Sequence, residues 1–238
     1  FDEAQKALAE DNTALAREKL NRALAIEPRE AKFHQMQGDL YALNGKFSKA
    51  LASYSKSIQQ NPDFFYGYLR RGQMEYELSR YSPARGSLQE SLELMPTAEA
   101  HYILGMLAKQ QGTTSSAMEH FKTASSSESE AGKKAAGELV RLDLQANPSN
   151  YIASRAATDD RNRVWAQFMN RTSIPVRDIE ISYAWLDEQG QTRQDKKVFR
   201  GPLAPGEQDR LALGFSLSNP AELNRRVRVQ VTGARTAK

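Results

Sequence analysis

The sequence predicts a two-part α + β chain, an all-α array of paired helices followed by a small all-β sandwich. Three observations carry this. Pro28, Pro62 and Pro96 stand 34 residues apart, each just after a helical pattern. Small residues keep step with them: Ala16 and Ala23, then Ala50 and Ser57, then Ala84 and Ser91. Beyond Asn147-Pro148 the apolar period drops to two, as in Ile179, Ile181, Tyr183 and Trp185.

In the first half, Gly38 and Gly72 repeat with the same 34-residue step, and a unit one residue shorter carries Gly105, Ala117 and Ala124. Leu20, Tyr54, Leu88 and Phe121 keep phase between the small residues. Glycine or alanine lets two helix backbones approach, and a bulky residue one turn away fills the space. Each proline ends a second helix, and the next unit restarts beyond it. Each unit has apolar surface that only a stacked neighbour can bury. After the turn Ser125 to Ser129, Ala131 to Gln145 reads as one more helix, with Ala135, Leu139 and Leu142 on one face. It is expected to cap the array. Residues 1–147 thus hold about three and a half helix-turn-helix repeats plus a capping helix.

Residues 148–162 read as a linker and 163–238 as an antiparallel sandwich of immunoglobulin-like character. Val164 to Asn170 alternates loosely, and Ile179 to Trp185 strictly. Glu188-Gln189-Gly190-Gln191 reads as a hairpin turn, followed by a polar strand to Phe199. Gly201 to Gly206 is loop chemistry. Leu211, Leu213 and Phe215 alternate again, as do Val227, Val229 and Val231, giving about five strands in all.

Of the 33 Lys/Arg and 29 Asp/Glu, 15 and 10 lie from Tyr151 onward, so the strand region carries +5 and the helical region −1. Hydrophobic residues make up 39% of the 238, within the range of a chain that folds around a core. No apolar run approaches the ~20 residues that span a bilayer. The absence of cysteine excludes disulfides, a thiol nucleophile and thiolate metal sites. Three histidines, His34, His101 and His120, stand far apart in sequence, which argues against a self-contained metalloenzyme. The opening Phe1-Asp2-Glu3-Ala4 has neither an initiator methionine nor a signal peptide and reads as part of something longer.

Several short signals have bland explanations. Gly45-Lys46-Phe47-Ser48 has the residues of a phosphate loop but follows a helix, with the wrong glycine spacing. The serine stretches 113–116 and 125–129 read as solvated turns, since no nucleophile elbow accompanies them. Asp159-Asp160 is a weak cation signal without a ligand series. Asn170-Arg171-Thr172 matches the glycosylation sequon. Lys196-Lys197 and Arg225-Arg226-Val227-Arg228 offer contact with nucleic acid, anionic lipid or an acidic partner, or simply the solvated face of edge strands. Aromatic interleaving for base stacking is missing there, so no nucleic acid is expected.

The 34-residue small-large-small-Pro pattern resembles the tetratricopeptide repeat (TPR). Its best unit runs from Ala31 to Pro62, with Gly38, Tyr41, Gly45, Phe47, Ala50, Tyr54 and Pro62 in register. The third unit departs with Glu75 at the usual tyrosine position. In that family the first helix of each unit lines a concave groove for a partner segment. The carried-over phase puts Gln35, Met36, Asp39 and Leu43 in the groove from the second unit. The third supplies Tyr66, Leu69, Arg70, Gln73, Tyr76 and Glu77, and the fourth Tyr102, Ile103, Met106 and Lys109. The Lys/Asn clamp for a C-terminal carboxylate is not matched, because Gln35 and Asp39 occupy its first positions.

TPR units, a capping helix and a terminal strand domain together also resemble the C-terminal region of BepA-like periplasmic zinc metalloproteases. That resemblance implies the docking half of an exported peptidase, with outer-membrane assembly machinery as partner. The HExxH motif itself is absent from this sequence. The expectation is a non-catalytic module with no catalytic residue, metal or cofactor of its own. It is periplasmic if the resemblance holds and cytoplasmic otherwise, and a monomer or weakly self-associating. A free-standing adaptor or self-associating scaffold is the alternative.

Overall fold

In a computed structural model, residues 1–237 are described. They form two compact units, residues 1–132 and the chain from Lys133 onward.

The first unit is an all-α solenoid of paired helices: α1 (Asp2–Ala9) with α2 (Thr13–Ile26), α3 (Ala31–Leu43) with α4 (Phe47–Gln60), α5 (Phe65–Glu77) with α6 (Tyr81–Leu94), and α7 (Ala98–Gln110) with α8 (Thr114–Ala124). The small-large logic of the sequence is visible atom by atom. A Cβ on Gly38 would stand 2.5 Å from the Tyr54 ring, on Gly72 2.7 Å from Leu88, and on Gly105 2.6 Å from Phe121. These distances are below any real contact, so each glycine is a notch filled by the bulky residue of the following helix. In the first pair Ala4 takes the notch position opposite Leu20, and both are buried. Gly45, at φ +66, lets the chain leave α3 in a left-handed turn, which accounts for that glycine without a phosphate.

The second unit holds six strands: β1 (Ile152–Thr158), β2 (Arg163–Asn170), β3 (Val176–Leu186), β4 (Thr192–Phe199), β5 (Gln208–Ser216) and β6 (Val227–Thr236). They form two three-stranded antiparallel sheets, ordered β1-β2-β5 and β4-β3-β6. Inward residues of both sheets, among them Ile152, Val164, Phe168, Ile179, Ile181 and Val231, make one core. A rim of rings seals it, with Trp185 stacked on Phe215 at 4.8 Å and Phe168 against Phe199 at 5.0 Å.

Two boundaries fall elsewhere than the sequence spacing places them. Helix α9 (Glu130–Asp143) forms as expected, but Val140 and the following Leu144 are buried in the sandwich core, and Tyr151 Oη donates to Asp143 at 2.9 Å. Most of that helix therefore groups with the strands. The stretch expected as a linker, 148–162, instead supplies β1, which pairs with β2 along its whole length, Ile152 opposite Asn170 through Thr158 opposite Val164.

Candidate partner-binding groove

Helices α3, α5 and α7 are the first helices of successive units, and a shared face is knitted by one polar network. Arg70, in the middle of α5, is its hub. Its Nε donates to Tyr66 Oη at 2.7 Å, and one terminal nitrogen reaches Gln73 Oε1 at 2.8 Å and Glu99 Oε1 at 3.4 Å. Asp39 of α3 lies 3.9 Å from the same guanidinium. Its two oxygens also accept from Tyr54 Oη at 2.7 Å and Gln35 Nε2 at 3.2 Å. The guanidinium stands 4.8 Å from the centre of the Tyr66 ring. Burial, reinforced by the Asp39 charge, pushes the Tyr54 and Tyr66 phenols up, so both stay protonated hydrogen-bonding groups.

Five residues carried over from the repeat phase, Gln35, Asp39, Tyr66, Arg70 and Gln73, are thus brought together. Beside them lies a cavity of about 410 Å³, open to solvent and walled by Phe1, Leu8, Met36 and Phe64, with Gln5, Lys32, Gln35 and Asp39 also lining it. The remaining positions behave differently. Leu69 and Ile103 are buried in the interhelix core. Tyr76 packs on Tyr81 at 6.0 Å and Tyr102 on Phe121 at 6.0 Å, with Met106 half-buried. Leu43, Glu77 and Lys109 are exposed at the C-terminal ends of their helices.

Glu99 was not in the sequence-derived set. Its signal was available: Gly105 follows Gly72 by 33 residues, and the same step takes Tyr66 to Glu99. One unit earlier the equivalent residue is Lys32, which lines the cavity.

The other sequence signals resolve into structure. Asn170 is fully buried; its side-chain nitrogen donates to the carbonyls of Ile174 and Leu203, and its oxygen accepts from the Thr172 amide, so the sequon is a buried corner and no glycan acceptor. Asp159 accepts from the backbone of Arg161 and Arg163 and pairs with the Arg163 guanidinium at 2.7 Å, which pulls its carboxyl down to about 2. Lys197 donates to the Ala212 carbonyl, and Lys196 faces Glu180 at 3.4 Å. His34 Nε2 lies 2.8 Å from the Pro28 carbonyl. His101 and His120, 19 residues apart, meet at 3.1 Å between their Nδ1 atoms, a pairing only the α7–α8 hairpin reveals. Burial lowers the affinity of both for a proton. Among the described residues no group of three or more His, Asp or Glu stands ready to hold a metal, and no helix is long and apolar enough to cross a membrane.

Against known proteins, the tetratricopeptide repeat family matches residues 1–63. An SGT1 homolog from Bos taurus is 31% identical over 94 residues, 40% of this chain and 28% of that protein; its Homo sapiens counterpart is 29% identical, over 40% and 26%. The chain thus spans little more than a quarter of the length of these relatives. Among solved structures, a crystal structure of MamA superposes with a TM-score of 0.54 at 19% identity, covering 60% of this chain and 84% of that one. MamA from Desulfovibrio magneticus RS-1 gives 0.53 at 20%, covering 59% and 80%. At such identity the likeness is one of fold. It makes the helical part a TPR-type solenoid.

Proposed function

We propose that this TPR-type solenoid is a non-catalytic docking module that holds an extended segment of another protein on the shared face of α3, α5 and α7. The observation that supports it is a fixed polar hub, Asp39–Arg70–Glu99, set beside an apolar cavity walled by Leu8, Met36 and Phe64. Such a face offers an anchor for one apolar side chain and hydrogen-bonding groups for the adjoining backbone. Because Arg70 and the tyrosines are already ordered, binding costs little rearrangement on this side. Tyr66, Gln73, Leu43 and Glu77 complete the contact surface. Leu69 and Ile103 support it from beneath.

The likeness to SGT1 and MamA supports the adaptor reading over the docking half of a zinc metalloprotease. The peptidase reading rests on domain order alone.

The test is selection from a displayed library of random dodecapeptides. Enriched peptides should bind with micromolar affinity, and Tyr66→Ala/Gln73→Ala should weaken them about 10-fold or more with the far-ultraviolet circular dichroism unchanged. Enriched peptides that bind the double variant as tightly as the parent overturn the assignment.

A further inference from the structure

The outer face of the β1-β2-β5 sheet holds two exposed arginines in one row. Strand register places Arg155 of β1 and Arg210 of β5 on either side of Gln167 of β2. One residue pair along, Trp165 lies between Ala157 and Ala212, so the face is a tall central ring flanked by small side chains. Each guanidinium is positioned by a neutral neighbour. Arg155 Nε donates to Gln167 Oε1 at 2.8 Å, and Arg210 lies over the Trp165 ring at 4.5 Å. Both arginines are exposed, and neither has a carboxylate partner among the described residues. Arg163, at the end of the same face, is the contrast, since Asp159 neutralises it. Shallow hollows of about 300 and 240 Å³ flank this row, one holding Arg155 and Arg171 and the other Trp165 and Arg163.

We propose that this face binds an acidic protein segment, with the free edges of Arg155 and Arg210 each taking a carboxylate. Charge complementarity argues for it: the strand region carries +5, and two exposed guanidiniums without a carboxylate partner among the described residues stand in one row across the sheet. Strands one apart in a sheet put the two arginine backbones about 10 Å apart, and carboxylates at i and i+2 of an extended segment lie about 7 Å apart. Long side chains bridge the difference, and a planar fork suits a carboxylate bidentately. Nucleic acid fits less well, because Arg163 and Arg210 both lie against the Trp165 ring, leaving little aromatic face for stacking. A bilayer fits less well too, since no large exposed apolar side chain stands on this face.

The experiment titrates fluorescein-labelled dodeca-glutamate into the full chain and follows anisotropy at low and moderate salt. Binding that Arg155→Gln/Arg210→Gln weakens about 10-fold or more, and that Arg225→Gln/Arg228→Gln leaves nearly intact, supports the proposal. The control removes the same charge from the same unit, so equal loss in both variants reduces the effect to net charge and overturns it. Arg155→Lys/Arg210→Lys keeps the charge and should recover only part of the affinity; full recovery removes the bidentate geometry from the claim and overturns it. Tighter binding of an oligouridine, or of phosphatidylserine vesicles, that Arg155→Gln/Arg210→Gln abolishes, replaces the acidic segment with that ligand. No binding of the glutamate peptide at low salt also sinks it.

Discussion

Arg70 in the helical region and Arg210 in the strand region each lie over an aromatic ring, 4.8 Å from Tyr66 and 4.5 Å from Trp165. The resemblance ends there. Arg70 is largely enclosed, and its nitrogens face Tyr66, Gln73, Glu99 and Asp39. Arg210 is exposed, with only the ring to orient it. The same side chain on the same kind of platform thus holds one surface together and leaves another open. What decides between the roles is the number of partners already present, since a cation inside a network is fixed by it while an exposed one with a single ring contact keeps its donors turned to solvent.

That difference can be tested by stability measurements. The largest effect is expected for Tyr54→Ala, which empties the notch at Gly38 and removes the hydroxyl that holds Asp39. Loss of a fully buried ring should cost about 3–5 kcal/mol in urea unfolding of the helical unit. Next comes Arg70→Met, which leaves Asp39 and Glu99 without their cation. It should cost about 1–2 kcal/mol. A loss near zero would mean the hub is ornamental to the fold. Smallest is Arg210→Gln, expected to stay within about 0.5 kcal/mol because nothing but Trp165 depends on it. A cost as large as that of Arg70→Met would erase the distinction between the two arginines.

The sequence makes the helical region legible because its signal is periodic: one small residue and one large residue per unit suffice to place eight helices. The strand region is less so. Strand β3 is plain from Ile179, Ile181 and Tyr183, whereas β1 reads Ile-Ala-Ser-Arg-Ala-Ala-Thr, and small side chains show no alternation. Its pairing with β2 is imposed by the sheet rather than by local preference. The polar cluster around Arg70 was half visible. Phase alone puts Asp39, Arg70 and Gln73 on one face, but it could not say that Leu69 and Ile103 turn into the core, since neighbouring positions on a helix differ by which flank meets the next unit. The Arg155–Arg210 surface was invisible, because those residues stand 55 positions apart and meet only through strand register.

Among the four residues that fill the notches, Leu20, Tyr54, Leu88 and Phe121, three end in carbon. Tyr54 ends in a hydroxyl that emerges on Asp39. One side chain of the second unit therefore belongs at once to the core and to the polar network around Arg70. The other three fillers bring no polar atom to that face. At Tyr54 the loss of a single oxygen would leave the interlock intact while releasing Asp39, one corner of the network around Arg70. Here alone among the four fillers, a mutation too small to trouble the packing changes the polar face.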